Sequence, residues 1–164
     1  MGINNFNLTP RAKKAYKSAK EFAGEYSHGR INNSHLFYGC VLNLSEDLTM
    51  MLEMNDIDLE DIDFKSLIVK YAKNNPDEFY DEIFKTAWHR ETEVVISYAQ
   101  KLSEVYENDY IGIEHIFYSI LENSSSFCLF LLKENIDVNE WKMIIKSHIE
   151  SLFKFTSISS PRNH

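Results

Sequence analysis

The chain has 164 residues, and its 44% hydrophobic and 13% aromatic content suits a packed domain and excludes an unfolded acidic chain. Seventeen basic against 25 acidic residues leave a net charge of −8, which argues against nucleic-acid backbones and anionic lipid as partners. No apolar run reaches the roughly 18 residues that span a bilayer, and Met1-Gly2-Ile3-Asn4-Asn5 has neither the basic nor the apolar region of a secretory leader. The residues after Met1-Gly2 do not complete a myristoylation signal, so the expected compartment is the cytoplasm. Cys40 and Cys128 lie in apolar segments without CxxC spacing and read as buried free thiols.

Taken in chain order, the pattern predicts helices throughout. Thr9 is placed to cap a first helix, with Pro10 where its missing N–H costs nothing. Ala12, Ala15, Tyr16, Ala19, Phe22 and Ala23 then form one apolar stripe, opposite a solvated basic face of Lys13, Lys14, Lys17 and Lys20. Gly24 or Gly29 is expected to end this helix. Short helices are predicted over 34–43 and 45–54, and a fourth over 59–73 with Leu59, Ile62, Leu67, Ile68 and Tyr71 inward. Pro76 breaks the pattern. A second helical set follows from about Asp77 to Phe153, and residues 154–164 are expected to form a loose tail.

The second half repeats the first. With an offset of 80, Ala19, Tyr26, Ile31, His35, Phe37 and Tyr38 meet Ala99, Tyr106, Ile111, His115, Phe117 and Tyr118, six identities in twenty positions. Leu52 and Asn55 meet Leu132 and Asn135; after a one-residue deletion Ile57-Asp58 meets Ile136-Asp137. The predicted fold is therefore all-α: two four-helix repeats, about 6–73 and 80–153, related by a pseudo-twofold axis.

Leu8-Thr9-Pro10-Arg11-Ala12-Lys13-Lys14-Ala15 and Ile111-Gly112-Ile113-Glu114-His115-Ile116 resemble the two signatures of the N-terminal domain of Clp-type AAA+ unfoldases. In that family each repeat opens on a TPRAKKAL-like helix and continues into an IGTEHLLLGLL-like second helix. The resemblance covers about residues 6–150. The second signature reads Ile31-Asn32-Asn33-Ser34-His35-Leu36 in repeat one, and the first survives in repeat two only as the periodicity of Arg90, Glu91, Thr92, Glu93, Val94 and Val95. The family lacks chemistry of its own in this domain and binds adaptors or protein substrates at the mouth of the unfoldase ring. The resemblance thus implies a non-catalytic recognition module, either standing alone or heading a longer unfoldase. Its alternative within the family is the N-domain of a secretion-type unfoldase that grips a helix of a contractile sheath.

ClpC-branch members bind phosphoarginine through the glutamate that starts each second helix and the threonine that opens each first helix. Carried over by position, the glutamate is Glu114 in repeat two but Ser34 in repeat one. The threonine is Thr9 in repeat one but His89 in repeat two, and Ile113 replaces the threonine before Glu114. Each half-site is therefore expected to lack one member, which counts against phosphoarginine. The candidate ligand- or peptide-binding residues are Glu114, the amides around Asn33 and Ser34, Thr9, and the apolar Phe6, Leu8 and Trp88 that flank the helix starts.

Enzymatic readings find little support. No GxxxxGK[ST] occurs, so ATP hydrolysis by a P-loop is excluded for this stretch of chain. His35, His115 and Glu114 supply nitrogen and oxygen donors for a small metal-dependent hydrolase, but without ligand spacing; each histidine reads better as a hydrogen-bonded core residue. No catalytic residue, metal or cofactor is expected. Glu53, Asp56, Asp58, Glu60, Asp61 and Asp63 form the most lopsided charge cluster, either a solvated helix start or a docking face for a basic segment.

Overall fold

The structure is a computed structural model that describes residues 6–80 and 90–159. Among these residues it contains eight α-helices: α1 Pro10–Glu25, α2 Asn33–Leu42, α3 Glu46–Met54, α4 Phe64–Asn74, α5 Arg90–Val105, α6 Ile113–Asn123, α7 Ser125–Lys133 and α8 Val138–Ser159. No helix in the described residues is long and apolar enough to cross a membrane.

Local chemistry sets most boundaries. Thr9 Oγ1 accepts from the Ala12 amide at 3.2 Å and Pro10 opens α1. The stripe Ala12, Ala15, Ala19, Phe22 and Ala23 is buried, with Tyr16 packed at its margin. Neither expected glycine ends α1: Gly24 lies inside it, and Ser27 takes the left-handed turn at φ 55°. The repeat shows again in these turns. Ser27 matches Glu107 (φ 57°), and Asp56 (φ 62°) matches Asn135 (φ 66°), so the one-residue deletion falls before Leu52, which pairs with Leu131 and not with Leu132 as expected from the sequence. Each pair makes the same closing bond, His28 N to Ala23 O and Asn108 N to Ser103 O at 2.8 Å, then Ile57 N to Leu52 O and Ile136 N to Leu131 O at 3.0 and 2.9 Å.

The single helix expected over 59–73 is split. Asp58 Oδ1 accepts from the Glu60 amide and Asp63 Oδ1 from the Ser66 amide, so two aspartates start two separate elements, a 3₁₀ turn Leu59–Asp61 and then α4. Ile68 and Tyr71 point inward as expected, joined by Phe64 and Ala72, while Leu59, Ile62 and Leu67 are only half-buried. At the other end, α8 continues through Ser159, into the stretch expected to be a loose tail.

α1 packs along α2, and α5 along α6, with α2 against α6 between the repeats. Residues Asn33 to Phe37, Gly39 and Cys40 of α2 are all buried, so the helix is embedded at its start, while Tyr38 and Val41 are half-buried and Leu42 is exposed. Gly39 makes this possible: a Cβ there would collide with the Ala15 backbone carbonyl, so the two helices touch backbone to backbone. Phe37 of α2 meets Phe117 of α6 at 5.5 Å and Phe127 of α7 at 5.2 Å, giving the two repeats a common core. Cys40 and Cys128 are buried free thiols; burial pushes both thiols up, Cys128 to about 11, so neither is a nucleophile at neutral pH.

Candidate functional site

The chain entering α1 lies beside the chain entering α6. Leu8 forms a parallel bridge with Ile111: the Ile111 amide donates to Asn7 O at 2.7 Å and the Thr9 amide to Ile111 O at 3.0 Å. This bridge carries Thr9 of repeat one next to Gly112, Ile113 and Glu114 of repeat two. Together with Pro10, Arg11, Lys14 and Ser45 they line an open cleft of about 400 Å³. Thr9 and Glu114 thus line one cleft although they come from different repeats.

Cations and an anion share this cleft. Arg11 is fixed by Nη1 donating to the carbonyls of Asn43 and Leu44, each at 3.1 Å. Lys14, assigned from the sequence to a solvated face, is exposed and lines the cleft. Gly112 is the N-cap of α6 and supplies no side-chain cap, leaving the first-turn amides of α6 without the side-chain acceptor that most helix starts provide. The Glu114 carboxylate folds back over Gly112, so close that a Cβ on Gly112 would collide with its Oε1. Thr9 and Glu114 also border a second cavity of about 280 Å³, walled by Tyr106, Asp109, Tyr110 and Phe153.

The repeat-one counterpart is built differently. Asn32 Oδ1 accepts from the Ser34 amide at 2.9 Å, from Ser34 Oγ at 2.5 Å and from the His35 amide at 3.4 Å. The α2 amides are thus already occupied, and Ser34 is buried. Asn33 is buried too and donates from Nδ2 to Ser124 Oγ at 2.8 Å, tying the repeats together. Leu8 is part of the core and Phe6 packs against it, so neither offers an open apolar wall. Trp88 and His89 lie outside the described residues. The cleft also holds Arg11, Lys14, Ser45 and Gly112, none of them a candidate from the sequence; the motifs around Thr9 and Glu114 contain three of them, but nothing in the sequence placed Ser45 nearby.

The two repeated histidines have matched structural work. His35 Nδ1 accepts from the Asn32 amide at 3.0 Å, and His115 Nδ1 from the Gly112 amide at 2.8 Å, each closing the turn that starts its helix. The proton of neutral His35 is therefore on Nε2, which donates to His28 Nδ1 at 2.7 Å. Burial, and then the neighbouring His28, lowers His35 to about 3; burial also lowers His28 and His115. Among the described residues no group of three His, Cys, Asp or Glu side chains is placed to hold a metal ion.

No protein-family profile matches the chain, and no curated protein sequence does. Solved structures do. The N-terminal domain of Hsp104 from Candida albicans superposes with a TM-score of 0.66 at 17% identity, covering 85% of this chain and 89% of that one. The N-terminal domain of the caseinolytic-protease-associated chaperone ClpD from Arabidopsis thaliana gives 0.66 at 15%, covering 92% and 99%. A chain described as part of a malarial protein secretion system gives 0.67 at 15%, covering 95% and 99%. The fold is that of Clp N-terminal domains.

Proposed function

We propose that the chain is a non-catalytic recognition domain that presents an adaptor or protein substrate to a Clp-type AAA+ unfoldase, and that it grips its ligand at the Thr9–Glu114 cleft. The observation that carries this reading is the Leu8–Ile111 bridge, which sets Thr9, Arg11 and Lys14 of one repeat beside the Gly112–Glu114 turn of the other. The arrangement suits a ligand with an anion next to a guanidinium. Arg11, Lys14 and the first turn of α6 attract the anion, and Glu114 pairs with the cation. Phosphoarginine has that chemistry, and the placement of Thr9 and Glu114 on one cleft supports it.

Calorimetric titration with phosphoarginine, free and within a short peptide, tests the site. Glu114→Ala is expected to weaken binding by about tenfold or more, the loss of one charge-assisted hydrogen bond worth about 1.5–3 kcal/mol, with the melting temperature nearly unchanged. A large fall in melting temperature with unchanged affinity would make Glu114 a structural cap and overturn the assignment.

A further inference from the structure

A third concavity, of about 420 Å³, shares no residue with the Thr9–Glu114 cleft. It runs between the C-terminal half of α2 (Tyr38, Val41, Leu42) and the segment entering α4 (Leu59, Ile62). One exposed leucine carries no message. Here Leu42 is 56% exposed and continues into the half-buried Val41, Leu59 and Ile62, so apolar surface is contiguous around a groove.

The repeat supplies an internal control. With the offset of 80, Leu42 corresponds to Glu122; in α4 and α8 the buried positions Phe64, Ile68, Tyr71 and Ala72 coincide with Trp141, Ile145, His148 and Ile149, which makes Lys65 the counterpart of Lys142. In repeat two those positions meet as an ion pair, Lys142 Nζ to Glu122 Oε2 at 2.6 Å, and Leu121, the counterpart of Val41, is buried. Repeat two closes the place with charge, whereas repeat one leaves it apolar and open.

Charge then selects the occupant. Residues 53–63 carry six carboxylates and no lysine or arginine. Asp58 and Asp63 cap local amides, but Glu53, Asp56, Glu60 and Asp61 are exposed, and none of the six joins an ion pair among the described residues. Glu60 and Asp63 line the groove itself. Its one cationic wall residue, Lys65, is held by Glu25 at 3.2 Å and lies 6.0 Å over the Tyr38 ring. An apolar floor with an acidic rim that outnumbers its one lysine is complementary to an apolar side chain flanked by cations.

We propose that this groove docks a cationic amphipathic segment of a partner protein, with a large apolar anchor seated among Leu42, Leu59 and Ile62 and flanking Lys or Arg meeting Glu60, Asp61 and Asp63. The docking is independent of the Thr9–Glu114 cleft, so its failure leaves the cleft reading untouched.

Fluorescence anisotropy on the full chain tests it. The probe is a labelled helix-forming peptide with Leu and Phe at three- and four-residue spacing and Lys and Arg elsewhere; its twin carries Glu at every cationic position. The cationic peptide is expected to bind and the twin not to. Leu42→Ser should weaken binding by about tenfold, a loss of about 1.4 kcal/mol, with circular dichroism unchanged. Glu60→Gln with Asp61→Asn should weaken it several-fold and flatten its salt dependence, whereas Glu114→Ala should have no effect. Equal binding of the twin, or insensitivity to Leu42→Ser, overturns the proposal. A loss confined to Glu114→Ala moves the peptide to the other cleft. Self-association of the chain abolished by Leu42→Ser makes a second copy the occupant.

Discussion

His35 and His115 each accept the amide of the residue that precedes their helix, yet only His35 faces a second imidazole. Position 28 is histidine in repeat one, and its counterpart is Asn108, whose Nδ2 lies 3.5 Å from His115 Nε2. Folded His35 titrates near 3 against 6.5 in the unfolded chain, and His28 is lowered in the same direction. A lowered histidine is neutral in the fold and takes its proton on unfolding, so its contribution is fully present above pH 6.5 and is lost as pH falls toward 3. For His35 the slope approaches about 1.4 kcal/mol per pH unit. Thermal melts from pH 7.5 to pH 5 should show stability falling with acid, and His28→Asn should flatten that fall; an unchanged slope would show that His28 is not part of it. A second residue-scale expectation concerns Gly112. Gly112→Ala displaces the Glu114 carboxylate without disturbing backbone, so phosphoarginine titration should show a loss comparable to Glu114→Ala while the melting temperature moves little. The histidines were legible as core residues because the repeat placed them twice in the same apolar setting. The shared Thr9–Glu114 cleft was not, because aligning two repeats pairs equivalent residues, whereas the Leu8–Ile111 bridge pairs the segment opening repeat one with repeat two.

Helix–helix spacing rests on a few small residues, and two glycines separate the effects. Gly39 sits where a Cβ would strike the Ala15 carbonyl, whereas Gly24, also helical, has open space around it. Gly39→Ala should therefore destabilise by about 1–3 kcal/mol through forced separation of α1 and α2. Gly24→Ala should stabilise by about 0.5–1 kcal/mol, since alanine is the better helix former. Urea unfolding of both variants checks the pair, and a gain at Gly39 would show that α1 and α2 do not pack through it. At this scale the sequence revealed periodic faces and the Thr9 cap. It misjudged ends: glycine was the expected stop for α1, but Ser27 accepts the left-handed turn, and Asp58 and Asp63 each capture an amide that splits what periodicity alone reads as one helix. Such ends are decided by single side-chain hydrogen bonds, which leave no periodic trace.

The two repeats cannot be separated energetically, because their cores are one. Phe37 of repeat one packs on Phe64, Phe117, Phe127 and Trp141, and three of those four rings belong to repeat two. Polar ties reinforce the seam: Tyr71 Oη, whose proton goes to Glu78, accepts from Ser126 Oγ at 3.1 Å, Thr92 Oγ1 donates to Ile31 O at 3.4 Å, and Lys70 pairs with Glu134. A repeat that unfolded alone would expose the Phe37 cluster on its partner, so unfolding should be a single transition. Trp141 touches both Phe37 and Phe64 and reports directly on the seam. In a Trp88→Phe background it is the sole tryptophan, so its fluorescence and far-UV circular dichroism should trace coincident urea curves. Phe37→Ala should cost about 3–5 kcal/mol and shift both midpoints together by roughly 1–2 M. Loss of the Trp141 signal before the helical signal would instead show that the repeats part first and unfold as separate units.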